Sequence, residues 1–72
     1  MSIERYGIKP GQIYHRADGT DPHIHHVVVE DTTTFAHCDD VLVSDVFGGH
    51  KRLDIRRIDA FKLARCRYFL AD

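Results

Sequence analysis

Histidine is the residue type in this chain with the most obvious capacity for chemistry. Six of the 72 residues are histidines, and three of them lie in the segment 23–26. Side chains two residues apart on a β-strand project to the same face, so His23 and His25 are spaced to share one metal ion. His37 and Cys38 could supply the remaining ligands from the next loop. The sequence therefore predicts a zinc-stabilised domain with ligands His23, His25, His37 and Cys38. The alternative is that these histidines are polar residues at a strand entrance and that the domain has no cofactor.

A second group of candidate functional residues is basic. Residues 47–72 carry seven Lys and Arg against three Asp, whereas residues 30–46 carry five acidic residues and no Lys or Arg. A positive groove with aromatic side chains nearby is typical of proteins that bind single-stranded nucleic acid. The candidates for such a groove are Lys51, Arg52, Arg56, Arg65 and Arg67. The alternative is that Arg52 and Arg56 form cross-strand ion pairs with Asp45 and Asp40, which would cancel most of the positive field.

The sequence offers few candidate residues for nucleophilic catalysis. Cys38 stands between His37 and Asp39, but adjacent residues of an extended segment point to opposite faces, so His37 is badly placed to act as its base. The pair Gly48-Gly49 lacks the Lys-Ser/Thr and the following helix of a phosphate-binding loop. We therefore expect no enzymatic activity.

Length and composition predict one small soluble domain. Hydrophobic residues make up 43% and charged residues 29% of the chain, and the net charge of −1 excludes a uniformly basic protein. We expect residues 1–10 to form an extended lead-in and residues 11–72 the domain. The two cysteines lie 28 residues apart without a CxxC spacing, and the longest apolar run is far too short to span a bilayer. We therefore predict that the cysteines are reduced core thiols and that the protein is cytoplasmic. Because such a small core gives marginal stability, we also predict a homodimer.

The segments that carry these residues have sequence patterns typical of β-strands. Residues 12–16, 25–35, 40–47 and 50–58 have the β-branched content or the alternation of strands. The Gly48-Gly49 pair predicts a tight hairpin turn, because both glycines can adopt positive φ. In the fourth strand we expect Leu53 and Ile55 to face inward. For the end of the chain we expect one helical turn over 59–63 and then a closing strand with Ala64, Cys66, Tyr68 and Leu70 facing inward.

Five short strands with one helical turn before the last describe a small all-β, SH3-like barrel. The sequence resembles an uncharacterised family of short bacterial SH3-like proteins over residues 11–63. The resemblance is carried by a short set of positions: Gly11-Gln12-Ile13-Tyr14, Gly19, the Val-Leu-Val strand that runs into Phe47-Gly48-Gly49, and Arg57 followed by Phe61. It implies the fold alone, since no catalytic residues of that family are established.

The absence of a catalytic set and the presence of a long loop in a short chain favour a binding module. We predict a non-enzymatic domain that contacts a protein partner through the loop of residues 17–24 and the barrel edge. Nucleic-acid binding and a zinc-stabilised domain are the alternatives. No membrane contact is expected.

Overall fold

Five antiparallel strands build one sheet in the computed structural model, which describes residues 6–32 and 40–71. The strands are β1 (Ile13–Arg16), β2 (His25–Asp31), β3 (Asp40–Phe47), β4 (His50–Asp59) and β5 (Tyr68–Ala71). Their order in the sheet is β4-β3-β2-β1-β5. The prediction of a small all-β fold with five strands is confirmed. Residues 33–35 of the predicted second strand lie outside the described residues.

The sheet is open rather than a closed barrel. Within the described residues β4 pairs only with β3, and β5 pairs only with β1, so these two strands are the edges. A barrel would need backbone pairing between the first and last strands of this order. Both edges therefore keep a row of backbone groups that no strand of the described residues uses.

The hairpin between β3 and β4 turns at the two glycines, as predicted. Gly48 has φ +57° and Gly49 has φ +86°, conformations that residues with a Cβ adopt at a cost. Two consecutive positive φ values are the requirement of the tight primed turns that join twisted antiparallel strands.

The helical turn before β5 is confirmed, but it is longer than expected. It starts after β4, where the Asp59 carboxylate accepts hydrogen bonds from the backbone N–H groups of Phe61 and Lys62. It continues as a π-helical turn over Lys62–Cys66, closed by a hydrogen bond of 2.8 Å from the Arg67 N–H to the Lys62 carbonyl. In the described residues no helix has the length and apolar character that crossing a membrane requires.

The predicted burial of two residues in this last segment is wrong. Because the wide turn runs to residue 66, β5 begins only at Tyr68, and Cys66 is an exposed free thiol rather than a core residue. Leu70 is also exposed, whereas Tyr68 is buried as predicted. Cys38 lies outside the described residues.

The hydrophobic core lies on one face of the sheet. Val27, Val29, Val41 and Val43 project from the two central strands, and Tyr14 joins them from β1. The N-terminal segment and the helical turn cover this core face with Ile8, Ala60 and Leu63. On the opposite, outer face Ser44 and Val46 of β3 are also buried.

The fourth strand presents the opposite face from the one predicted. Its alternation is real, but Ile55 stands opposite Ser44 on the outer face, while Arg56 stands opposite the core residue Val43. Leu53 is 96% exposed and Ile55 is 55% exposed. The charged side of an edge strand can face the core here because Arg56 finds a carboxylate there, as described below.

Candidate functional site

The predicted zinc ligands are not all where the strand spacing would put them. His23 lies in the turn before β2 and is exposed, while His25 is the first residue of β2 and is buried on the core face. Their two-residue spacing therefore does not place them on one strand face. His37 and Cys38 lie outside the described residues. Among the residues that the structure describes, no three His, Cys, Asp or Glu side chains form a metal-binding group.

His25 belongs instead to a buried polar network. Its Nε2 lies 2.8 Å from Oδ1 of Asp45, and its ring stacks on Phe47 with centroids 4.4 Å apart and an interplanar angle of 8°. Arg56 donates to the same carboxylate through Nε at 2.8 Å and through Nη2 at 3.0 Å. Arg56 Nη2 also donates to the hydroxyl of Tyr68 at 3.3 Å. The network thus joins the core-facing polar groups of β2, β3, β4 and β5.

The network stabilises the charged forms of Asp45 and Arg56. Hydrogen bonds from Arg56, with a smaller contribution from His25, lower the pKa of Asp45 despite its partial burial. The same contact with Asp45 raises the pKa of Arg56. Bidentate pairing of guanidinium and carboxylate is among the strongest side-chain hydrogen-bond arrangements. Nδ1 of His25 is buried and has no hydrogen-bond partner among residues 6–32 and 40–71. The arrangement is a structural ion pair, with no nucleophile placed beside the imidazole by any described hydrogen bond.

The basic residues predicted to bind nucleic acid are divided between the two edges of the sheet. On β4, Lys51 contacts Glu30 at 2.6 Å and lowers its pKa, and Arg56 is occupied by Asp45. Arg52 makes only a long contact of 3.8 Å with its neighbour Asp54.

Arg65 and Arg67 flank the C-terminal end of the helical turn, toward the β5 edge. The guanidinium of Arg65 lies over the ring of Tyr6, 5.9 Å from its centroid, a cation–π contact. No described side chain pairs with Arg67. The pairing of Arg56 with Asp45 agrees with one part of the electrostatic alternative drawn from the sequence, whereas Arg52 contacts Asp54 of its own strand.

The loop of residues 17–24 is held by its own hydrogen bonds. Asp18 accepts from the backbone N–H and the hydroxyl of Thr20, contacts that lower its pKa, and it also pairs with Arg16. Asp21 accepts from the N–H of His23, and its carbonyl accepts from the N–H of Ile24. Such Asx turns fix a loop without secondary structure. The loop is also tied to the C-terminal segment by a hydrogen bond of 2.8 Å from the Ala17 N–H to the Arg67 carbonyl.

One cleft opens between this loop and the outer side of β5. It has a volume of about 490 Å³. Phe69 and His15 form its floor, with ring centroids 5.8 Å apart, and the loop residues from Gly19 to Pro22 form the opposite wall. Phe69 is 53% exposed. We name this site the outer cleft.

A smaller cleft lies on the other side of the loop. It has a volume of about 330 Å³ and is lined by Arg16, Ala17, Asp18, Cys66, Arg67 and Tyr68. Adjacent residues of a strand point to opposite faces, so Tyr68 and Phe69 direct the two clefts to opposite sides of β5. Both clefts border the N-terminal part of the loop of residues 17–24 and the β5 edge.

Sequence reasoning missed Phe69 and His15 as a pair. They are 54 positions apart in the chain and become neighbours only through the pairing of β1 with β5. The available signal was the aromatic run Tyr68-Phe69, of which only one ring can enter the core of a strand with two faces.

Comparison of the chain with protein-family models, with curated proteins and with solved structures finds no match.

Proposed function

We propose that this protein is a non-enzymatic, cytoplasmic module that binds an extended segment of a partner protein in the outer cleft. The observation that carries the proposal is the half-exposed ring of Phe69 at the edge of the sheet, facing a loop that is already ordered. Aromatic anchors in preformed clefts supply most of the affinity in protein interfaces.

The chemistry of the cleft favours a partner with an apolar or proline residue. Phe69, His15 and Pro22 offer flat apolar surface, and Thr20 and Asp21 offer polar groups at the rim. β5 is an edge strand whose outward backbone groups can pair with an added strand of the partner. The loop loses little conformational entropy on binding, because its turns are closed by Asp18 and Asp21 in the free protein.

The charge arrangement favours a protein over a nucleic acid. Backbone phosphates attract unpaired Lys and Arg, and each one neutralised contributes to salt-dependent affinity. Here Lys51 and Arg56 already contact carboxylates within the chain. The net charge of the protein is −1. Binding to single-stranded RNA or DNA is therefore the alternative outcome in the test below.

The test is site-specific photo-crosslinking in cells. A photoreactive phenylalanine analogue replaces Phe69 in one strain and Phe61 in another, since the two rings have nearly equal exposures of 53% and 52%. Phe61 lies at the start of the helical turn, away from the outer cleft. We expect a defined partner protein to be captured from position 69 and not from position 61.

The captured partner then provides a quantitative assay with purified components. Phe69→Ala should weaken its binding at least about tenfold, as expected for an aromatic anchor, whereas Phe61→Ala should leave the affinity unchanged. Equal capture from both positions, or capture of RNA in place of protein, contradicts the proposal.

A further inference from the structure

The β4 edge carries a second surface that the proposed function does not use. Nine of the ten residues of β4 are exposed, and within the described residues the strand pairs on one side only. This edge lies at the opposite end of the sheet order from β5 and the outer cleft. A long, free edge strand is a template for pairing with another strand.

The middle of β4 leaves the ladder with β3. Val46 pairs with Lys51 and Ser44 pairs with Ile55, so three residues of β4 stand against the single residue Asp45. Leu53 is at the centre of this bulge and is 96% exposed. Alternation places it on the same side as Lys51 and Ile55. Leu53 therefore buries almost none of its side chain against the described residues.

The charged side chains that flank Leu53 are exposed to solvent. Arg52 and Asp54 flank it, their contact is as long as 3.8 Å, and their side chains are 61% and 91% exposed. The nearby basic residues of β4 do have close partners, since Lys51 contacts Glu30 and Arg56 contacts Asp45. The segment Arg52-Leu53-Asp54 therefore presents one positive, one apolar and one negative side chain without strong partners among the described residues.

We propose that β4 pairs with β4 of a second copy of this chain, antiparallel and centred on Leu53. A two-fold axis at residue 53 places Leu53 opposite Leu53 of the second copy. It places Arg52 opposite Asp54 of that copy, and Asp54 opposite its Arg52. In an antiparallel pair the second copy presents Arg52-Leu53-Asp54 in reverse order, so each charge meets the opposite charge. A two-fold interface between identical chains requires such self-complementarity. Opposite charges directly across two strands stabilise the pair and fix its register.

This pairing joins the two sheets into one of ten strands. The backbone groups of β4 that point away from β3 then gain hydrogen-bond partners, and the exposed surfaces of Leu53 and Ile55 from both copies form one apolar strip. The bulge leaves residues 52–54 out of the ladder with β3, so their backbone groups are available to the second copy. The outer clefts border β5, whose edge this pairing does not use.

The first experiment measures mass by sedimentation equilibrium over a range of protein concentrations. We expect the wild type to dimerise and Leu53→Lys to weaken dimerisation at least about tenfold, because the variant places two like charges face to face. Arg52→Asp and Asp54→Arg should each weaken the dimer as well. The double variant Arg52→Asp/Asp54→Arg restores complementarity and should recover it. Ile24→Lys, at a position 63% exposed in the turn before β2, is the matched control and should dimerise like the wild type.

The second experiment tests the register itself. With Cys38 and Cys66 replaced by Ser, the variant Leu53→Cys should form an intermolecular disulfide on mild oxidation, because residues directly opposite in an antiparallel pair have Cα atoms about 4.5–5.5 Å apart. Ile55→Cys should not, because its opposite number in this register is Lys51. A monomeric wild type, a Leu53→Lys variant that dimerises normally, or equal cross-linking at positions 53 and 55 would overturn the proposal.

Discussion

Arg56 on β4 donates a hydrogen bond from Nη2 to the hydroxyl of Tyr68 on β5 across 3.3 Å. These strands are the first and last in the sheet order, so the sheet coils until its two edges approach on the core face. The link between them is made by side chains and not by a backbone ladder. The fold is therefore an open sheet whose two edges are linked by this polar network.

The first prediction concerns this link. Tyr68→Phe removes the hydroxyl and leaves the aromatic ring in the core, so we expect it to lower the free energy of unfolding by about 1 kcal/mol. Urea unfolding followed by circular dichroism measures the change. A double-mutant cycle with Arg56→Met isolates the pair, and the two substitutions should be non-additive. Full additivity would show that the contact contributes nothing to stability.

The second prediction is a pH dependence that originates at Asp45. Hydrogen bonds from Arg56 hold the pKa of this carboxyl below its ordinary value of 3.8 in the folded protein. A lowered folded-state pKa means that the unfolded chain binds the proton more readily. The stabilisation is therefore complete above the unfolded pKa and is lost as the pH falls through the folded one.

Denaturant unfolding at a series of acidic pH values tests this directly. Asp45→Asn should be less stable than the wild type at neutral pH, and its stability should fall less steeply below about pH 4. Asp54→Asn is the control, because its carboxylate is 91% exposed and makes only a long contact. If the two variants show the same pH profile, Asp45 is not the source of the dependence.

Local features of this fold could be read from the sequence, whereas long-range ones could not. The Gly48-Gly49 turn and the valine-rich β2 follow from conformational preferences that act within a few residues. The face that β4 presents depends on its register with β3, and a shift of one residue turns every side chain over. Alternation alone therefore placed Leu53 and Ile55 together but on the wrong side.

The candidate site shows the same division. The loop of residues 17–24 was evident from its Asp-Gly and Asp-Pro pairs, which are turn chemistry. The pairing of His25 with Asp45 joins residues 20 positions apart, and that of His15 with Phe69 depends on which strands are neighbours. A histidine that looks like a metal ligand by spacing is, in the structure, a core residue hydrogen-bonded to a carboxylate.

The third prediction compares two leucines of opposite burial. Leu63 in the helical turn is 0% exposed and Leu53 on β4 is 96% exposed. Leu63→Ala should lower the free energy of unfolding by roughly 2–5 kcal/mol, because it removes buried methyl groups and leaves a cavity. Leu53→Ala should change it by less than about 0.5 kcal/mol when measured on the monomer at low protein concentration. A large effect of Leu53→Ala under those conditions would mean that its side chain packs within the chain.

The fourth prediction concerns the hairpin that brings β4 against β3. Gly49 has φ +86° and nothing within 4 Å of the position that a Cβ would occupy, so only backbone conformation opposes a side chain there. Gly49→Ala should destabilise the protein by about 1–2 kcal/mol, the cost of a left-handed conformation for a residue with a Cβ. Gly48→Asn is the matched substitution, since Asn tolerates the φ of +57° found at that position and is common in such turns. It should be nearly neutral in thermal unfolding. If Gly48→Asn costs as much as Gly49→Ala, the turn does not discriminate between its two central positions and the conformational argument fails.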